Sequence, residues 1–455
     1  MNLEQLRKQA KELVRAARAG DSEALERLGG REPILARAQL VLAREQGYSS
    51  WPALVAAAEA NAEAFVVAAT ENRRERAERM LAARPEIERD PWAWLVLGRG
   101  WDGDPNTPGG PRNWPPLGYV CNSCFASRAL VQELLERGAD PNARFTNEYG
   151  PITALYGAAG LLHDPELTRV LLEAGADPDD NESLYHATET ENTECLRLLL
   201  EHGATIAGTN ALPHALDYDV IEPVRLLLEA GADPNEGAYV AHAVRRGRGP
   251  DFLRLLAAFG ADLDRPGGET WRGDVPLRTP YQHAIIRGRQ DQAETLAELG
   301  ASTEVADADL ALGAIAHGES PQSPLPEVLD PDAQEVVILA ALDGHAAAVL
   351  DAVGPNFRGV VGGSPEGPLL GHAAWVGNAN VVRELLAAGA DVSARADAQF
   401  DTPLAIAAHG SGYNPDRGDY IAVAELLVAA GNEIEPRFLE VAEGPLYGWL
   451  EERVR

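Results

Sequence analysis

The sequence predicts an all-α repeat solenoid, and three features carry that expectation. First, a string close to LLExGAD recurs: "LLERGADPN" at 134, "LLEAGADPD" at 171, "LLEHGATIA" at 199, "LLEAGADPN" at 227, "LAAFGADLD" at 256, "LAELGASTE" at 296, "LLAAGADVS" at 385 and "LVAAGNEIE" at 427. Second, its glycines, at 138, 175, 203, 231, 260, 300, 389 and 431, stand 37, 28, 28, 29, 40, 89 and 42 residues apart, the period of one small supersecondary unit. Third, each glycine closes an apolar helical stretch. Glycine reaches the left-handed conformation that stops a helix, and the Leu pair before it fills the seam to the next unit.

Residues 1–60 are expected to form an N-terminal helical segment. "MNLEQLRKQAKELVRAARAG" is a charged amphipathic helix without an apolar signal region, and no run of about 18 apolar residues is evident in the chain. A soluble cytoplasmic protein without a membrane partner is the expectation. Cys121, Cys124 and Cys195 are too few and too odd in number for a disulfide framework, which agrees with a reducing compartment. "CNSC" at 121–124 has no second Cys or His pair at zinc-finger spacing, so its cysteines read as small core residues of a helix. "AFVVAATENRRERAERMLAARPEI" at 64–87 repeats the apolar spacing of the array without its glycine, as a terminal capping unit would.

The repeated pattern resembles the ankyrin repeat, whose units read T-P-L-H-x-A, a helix, a turn, a second helix with LL, then G-A-D. "TPYQHA" at 279 and "TPLAIAAHG" at 402 retain the opening threonine and proline. The resemblance covers roughly residues 63–435 and implies about ten or eleven units with a C-terminal cap at 436–455. The 89-residue interval must hide degenerate units: "VVILAALDGHAAAVLDAVGPN" at 336–356 supplies one, and "DLALGAIAHGE" at 309–319 the first helix of another. Spacings of 28 residues fall short of the usual ankyrin length, so several units are expected to lack the extended hairpin between repeats. The segment around "AQLVLAREQGYSSWPAL" at 38–54 is similar to helical leaders of bacterial ankyrin-repeat proteins.

Five histidines stand directly before the small alanine of the first helix: His186, His214, His242, His283 and His372. That place should share a helix face with the residues three and four further on, which in an ankyrin-like unit point into the concave groove. The face then carries His186 with Glu189 and Thr190, His214 with Asp217 and Tyr218, His242 with Arg245 and Arg246, and His283 with Ile286 and Arg287. Its character turns from acidic to basic. Each ring either fills a seam and bonds to backbone of the adjacent hairpin, or lines a polar ligand groove. A metal or acid/base site is the least expected, because stacking separates equivalent residues by more than shared ligation tolerates.

Four insertions enlarge the wall opposite that face: 98–116, 144–152, 265–278 and 354–368. They carry Trp101, Trp114, Tyr149, Trp271 and Phe357 with Asp102, Arg112, Glu148, Arg272 and Asp274. Glycine and proline make the turns, while aromatics and arginine are the residue types that dominate binding hot spots. The alternative is that each insertion lids its own repeat. No phosphate-binding loop or nucleophile elbow stands anywhere in the chain.

The chain carries a net charge of −31, and outside residues 1–60 it holds 62 acidic and 30 basic residues. Nucleic-acid affinity comes mostly from phosphate neutralisation by Lys and Arg, so this balance excludes nucleic acid as an expected partner. The leading expectation is non-catalytic recognition of a protein or peptide partner in the concave groove, without cofactor or metal. The alternative is an enzyme or receptor for a small polar ligand, with its pocket between the insertions and the His-bearing helices. An open groove lined by scattered rings favours the first, and a closed pocket with converging polar groups the second.

Overall fold

The computed structural model describes residues 3–29, 33, 35–148, 150–268, 276–362, 364, 366–396, 402–413, 418–442 and 444–453. The chain divides into two compact units, Met1–Asp233 and Pro234–Arg455. Both are built of helix pairs, as the repeats require.

The first unit begins with four helices, Leu3–Arg18, Ser22–Arg27, Leu35–Glu45 and Trp51–Glu59. In the first of them Leu6, Ala10, Leu13, Val14 and Ala17 are buried, one stripe at helical spacing. Asp21, Ser50 and Asn61 cap the starts of Ser22–Arg27, Trp51–Glu59 and Ala62–Thr70 by accepting from Ala24, Ala53 and Ala64 N–H groups. Trp51–Glu59 packs on Arg74–Ala83, the second helix of the pair Ala62–Thr70 and Arg74–Ala83. The pairs that follow are Pro116–Cys121 with Arg128–Glu136, Ala154–Tyr156 continued by the π-helical Gly157–Leu161 with Pro165–Glu173, Ser183–His186 with Glu194–Glu201, and Ala211–Ala215 with Ile221–Glu229.

In the second unit the pairs are Tyr239–Arg245 with Pro250–Ala258, Pro280–Ile286 with Gln290–Glu298, Pro331–Ala340 with Ala346–Val353, Leu369–Trp375 with Ala379–Ala387, and Pro403–Tyr413 with Tyr420–Ala429. Asp307–Ala316 forms the expected first helix, but residues 317–330 then run without a second one. Phe438, Leu446, Trp449 and Leu450 of the C-terminal turns join the core of this unit.

The recurring string explains itself at the end of each second helix. All eight signature glycines have φ between 84 and 113°. The alanine after Gly138 donates its N–H to the Leu134 carbonyl at 2.9 Å while Gly138 donates to Leu135, and the same pair of bonds closes the helix at Gly175. Leu134 and Leu171 are fully buried, so helix stop and seam filling come from adjacent letters of one motif. At the other end, Thr279 of "TPYQHA" accepts from Gln282 N–H while the Gln282 side chain accepts from Thr279 N–H, a reciprocal cap with proline in the first turn.

Each of the four long insertions closes as a short antiparallel pairing. These are Gly109 with Trp114, Phe145–Thr146 with Pro151–Ile152, Gly267 with Arg278, and Arg358–Gly359 with Gly367–Pro368. The 28-residue units at 175–231 hold no such pairing among their described residues, and their first helices shrink to Ser183–His186 and Ala211–Ala215.

Pro331–Val353 is long and apolar enough to cross a membrane by length and composition. Gly344, with φ 100°, breaks it into two helices that pack on one another as a repeat pair. Cys121, Cys124 and Cys195 are free and buried, as expected of core residues, although Cys124 lies in the turn after its helix. Burial raises the thiol pKa of all three, which keeps them protonated and inert.

Candidate functional site

The insertion at 98–116 packs down rather than standing open. Trp114 is 2% exposed, its ring centroid lies 5.4 Å from Tyr119 and 4.7 Å from Phe145, and its Nε1 donates to the Thr146 carbonyl at 2.8 Å. Arg112 lies over the Trp114 ring and donates to Thr70 Oγ1 at 3.0 Å and Glu71 Oε1 at 2.6 Å. Trp101 is half-buried against Trp92, and Arg137 donates to the Trp101 and Gly103 carbonyls. Trp114 and Arg112, expected on a binding face, therefore staple the insertion to its neighbours; an aromatic ring beside an unfilled seam lowers more free energy by burial than by exposure. Asp102 and Glu148 are exposed. Tyr149, Trp271, Arg272 and Asp274 lie outside the described residues.

The histidines divide by whether a hairpin stands beside them. His283 is fully buried, and its Nε2 lies 2.8 Å from the Gly267 carbonyl; His372 meets the Gly359 carbonyl at 3.0 Å in the same way. These two fill seams and bond to hairpin backbone, which corrects the placement of His283 on the groove face. Ile286 is likewise in the core. His242 is half-buried. Burial lowers the pKa of His372 and, well below its ordinary value, that of His283, where Arg287 adds repulsion. Depressed pKa values contribute stability that is full above the unfolded-state value of about 6.5 and is lost as pH falls through the folded one. Thermal unfolding between pH 8 and 5 should show the melting temperature of the second unit falling below about pH 6.5, with a shallower fall in His372→Gln.

His186 and His214 sit in units without hairpins and turn to acid instead. His186 Nδ1 lies 2.7 Å and His214 Nε2 3.0 Å from the same oxygen, Glu189 Oε1. Tyr185 stacks on His214 with centroids 3.6 Å apart, Tyr218 meets that ring edge-on at 5.2 Å, and Tyr156 meets His186 at 5.3 Å. The π-helical stretch Gly157–Leu161 lets His186 in: a Cβ at Gly160 would stand 2.8 Å from the His186 Cβ. Burial raises the Glu189 carboxyl, and the bonds from His214 and His186 outweigh it, leaving the pKa below the usual range. His163 belongs to the same neighbourhood, its pKa lowered by burial and raised in part by Glu189. Asp217 approaches His214 from the far side, as the shared face required, whereas His163 and the bridging role of Glu189 had no signal in the repeat register.

In the second unit arginines gather at the C-terminal ends of two first helices. Arg245, Arg246, Arg287 and Arg289 line a cavity of about 350 Å³ with Glu335, Asp343 and Gly362. Arg287 is held by His283 Nδ1 at 2.9 Å and by Asp332 at 3.7 Å. Burial pushes its pKa down to about 10; Asp332 opposes this and Arg245 adds to it. Next to this cavity in sequence and space is an apolar one of about 280 Å³. It takes Leu342, Val361 and Ser364 where the arginine cavity takes Leu339, Asp343 and Gly362, and continues to Trp375, Val376 and Ile406. Arg289 and the apolar cavity were not foreseen from the sequence.

The family model for ankyrin repeats, in three copies, matches residues 155–238. Among solved structures, the ankyrin repeat domain of Bcl-3, a member of the IkappaB protein family, is 22% identical, covers 41% of this chain and 92% of that one, and has a TM-score of 0.34. An ankyrin repeat domain from Acinetobacter baumannii AYE is 26% identical over 38% of this chain and 93% of that one, with a TM-score of 0.33. The human ASB11 ankyrin repeat domain is 20% identical over 53% and 96%, with a TM-score of 0.25. No curated protein matches the chain. The chain carries ankyrin repeats at residues 155–238, and ankyrin repeats in general are protein–protein interaction modules.

Proposed function

We propose that the protein recognises a protein or peptide partner through the face of its first helices, without chemistry of its own. The repeat region is taken as 61–435, about ten or eleven units, between an N-terminal helical segment at 1–60 and a cap at 436–455. One observation carries the reading: an arginine-lined cavity lies beside an apolar one in the second unit. A peptide segment with a carboxylate next to a large apolar side chain fits that pair, because arginine binds carboxylate in a fork and the apolar cavity supplies the buried anchor. Positive charge collected in a chain of net charge −31 marks a local preference for anions that the rest of the surface repels. Nucleic acid is disfavoured by the same overall charge.

A displayed random-peptide library tests this. Wild-type protein should enrich sequences with Asp or Glu beside Leu, Phe or Trp. Arg246→Glu, at an exposed position, should weaken the selected peptides at least tenfold without shifting the melting temperature. Enrichment without acidic residues, or undiminished binding by the variant, would refute the reading. A second reading, a small polar ligand in the first unit, is favoured by the convergence of His186, Glu189 and His214 on one point.

A further inference from the structure

We propose that His186 Nδ1, Glu189 Oε1 and His214 Nε2 form a binding site for a divalent transition-metal ion, zinc above all. Among the described residues these three offer ligand atoms that all lie within 4.8 Å of one another. Glu189 Oε1 is already 2.7 Å from one ring nitrogen and 3.0 Å from the other. Tetrahedral zinc with bonds of roughly 2.0–2.1 Å holds its ligand atoms roughly 3.3 Å apart, so side-chain rotations suffice to bring the trio around an ion. Two imidazoles and one carboxylate are the donor set of open zinc sites, with water taking the fourth place.

The far side of each ring strengthens the assignment. His186 Nε2 faces Glu182 Oε2 at 3.4 Å, and His214 Nδ1 faces Asp217 Oδ2 at 3.7 Å. Metal-bound histidines characteristically turn their other nitrogen to a carboxylate, which sets the tautomer and makes the ring a better donor. Here each ring has a carboxylate near its outer nitrogen, Nε2 in one and Nδ1 in the other, and His214 Nδ1 is buried without a hydrogen-bond partner, so a small rotation of Asp217 would complete that outer contact. To bind the ion, each ring turns a bare nitrogen to it and carries its proton on the nitrogen facing Glu182 or Asp217.

Charge and rigidity act in the same direction. Glu189 stands between the two rings and Glu182 and Asp217 behind them, a local excess of negative charge that favours a cation. Stacking by Tyr185 and the close approach permitted by Gly160 hold the rings in place. Repeat stacking was expected to keep equivalent histidines too far apart for one ion; here the ligand atoms of His186 and His214 lie within 4.8 Å of each other, with Glu189 between them. His186 and Glu189 come from one short helix and its turn, and His214 from the next first helix, so the ion would tie two consecutive repeats together.

The test uses the full chain, stripped with a chelator, then titrated with zinc sulfate in a calorimeter and with cobalt(II) in a spectrophotometer. One zinc per chain at micromolar or tighter affinity is expected, together with visible cobalt bands of tetrahedral intensity and a raised melting temperature. Glu189→Gln and His214→Gln should each weaken binding at least 100-fold, and Glu182→Gln about 10- to 100-fold through the outer contact. His202→Gln, an exposed histidine outside the cluster, should leave binding unchanged. Metal-free melting curves establish that each variant folds. Absence of stoichiometric binding in the wild type, or equal binding in folded Glu189→Gln and His214→Gln, overturns the proposal and leaves the trio as a hydrogen-bonded clasp.

Discussion

Replacing Arg278 with alanine should destabilise the second unit by about 3–5 kcal/mol, the cost of leaving buried charge without its partner. Arg278 is 6% exposed. Its Nε lies 3.1 and 3.2 Å from the two oxygens of Asp309, and its Nη2 donates to Asp330 at 2.8 Å. Its backbone pairs with Gly267 through bonds of 2.9 and 3.2 Å, so the side chain anchors the closed end of the 265–278 insertion to two later elements. Asp330 also caps the helix Pro331–Ala340 by accepting from Asp332 and Ala333 N–H groups. Burial raises the Asp330 carboxyl, and the bonds from Arg278 outweigh it, so its pKa lies below the usual range. That stability is full above the unfolded carboxylate value of about 3.9 and is lost as pH falls through the folded one. Urea unfolding, with hydrogen exchange over residues 330–340 to locate the change, measures the effect. Arg278→Lys should recover only part of the loss, because an ammonium cannot reach both carboxylates with a fork. A change below about 1 kcal/mol would place the clasp among surface ion pairs of little consequence.

Trp114→Ala should cost a similar amount, about 3–5 kcal/mol, the range for emptying a buried aromatic site. The ring lies between Tyr119, Phe145 and the Arg112 guanidinium and gives its only N–H to the Thr146 carbonyl. Losing it frees the paired ends at Gly109 and Trp114 and leaves that carbonyl without its donor. Asp102→Ala in the same insertion, at an exposed position, should change stability by less than about 0.5 kcal/mol. Denaturant unfolding of the two variants separates a lid from a binding loop. If Trp114→Ala matches Asp102→Ala, the ring does not hold the insertion down.

What the sequence determined by itself was local. The Leu, Gly and Ala of each LLExGAD string are bound to one another within a single helix end, so their burial, positive φ and bond pattern follow from six adjacent letters. The unit lengths were equally legible: insertions close as hairpins, and 28-residue units do without them. Tertiary structure decided what the side chains meet. His283, His372, His186 and His214 occupy one register, yet the first two reach a hairpin carbonyl and the last two reach Glu189. A buried ring nitrogen takes whichever partner the neighbouring unit offers, and that choice belongs to the neighbour. The Arg278 clasp, whose partners lie 31 and 52 residues away, and the meeting of Arg289 with the Val244 carbonyl 45 residues back, arise only when the units stack. Repetition in sequence dictates the backbone of each unit, while the contacts that tell one repeat from another form between units, where no local pattern records them.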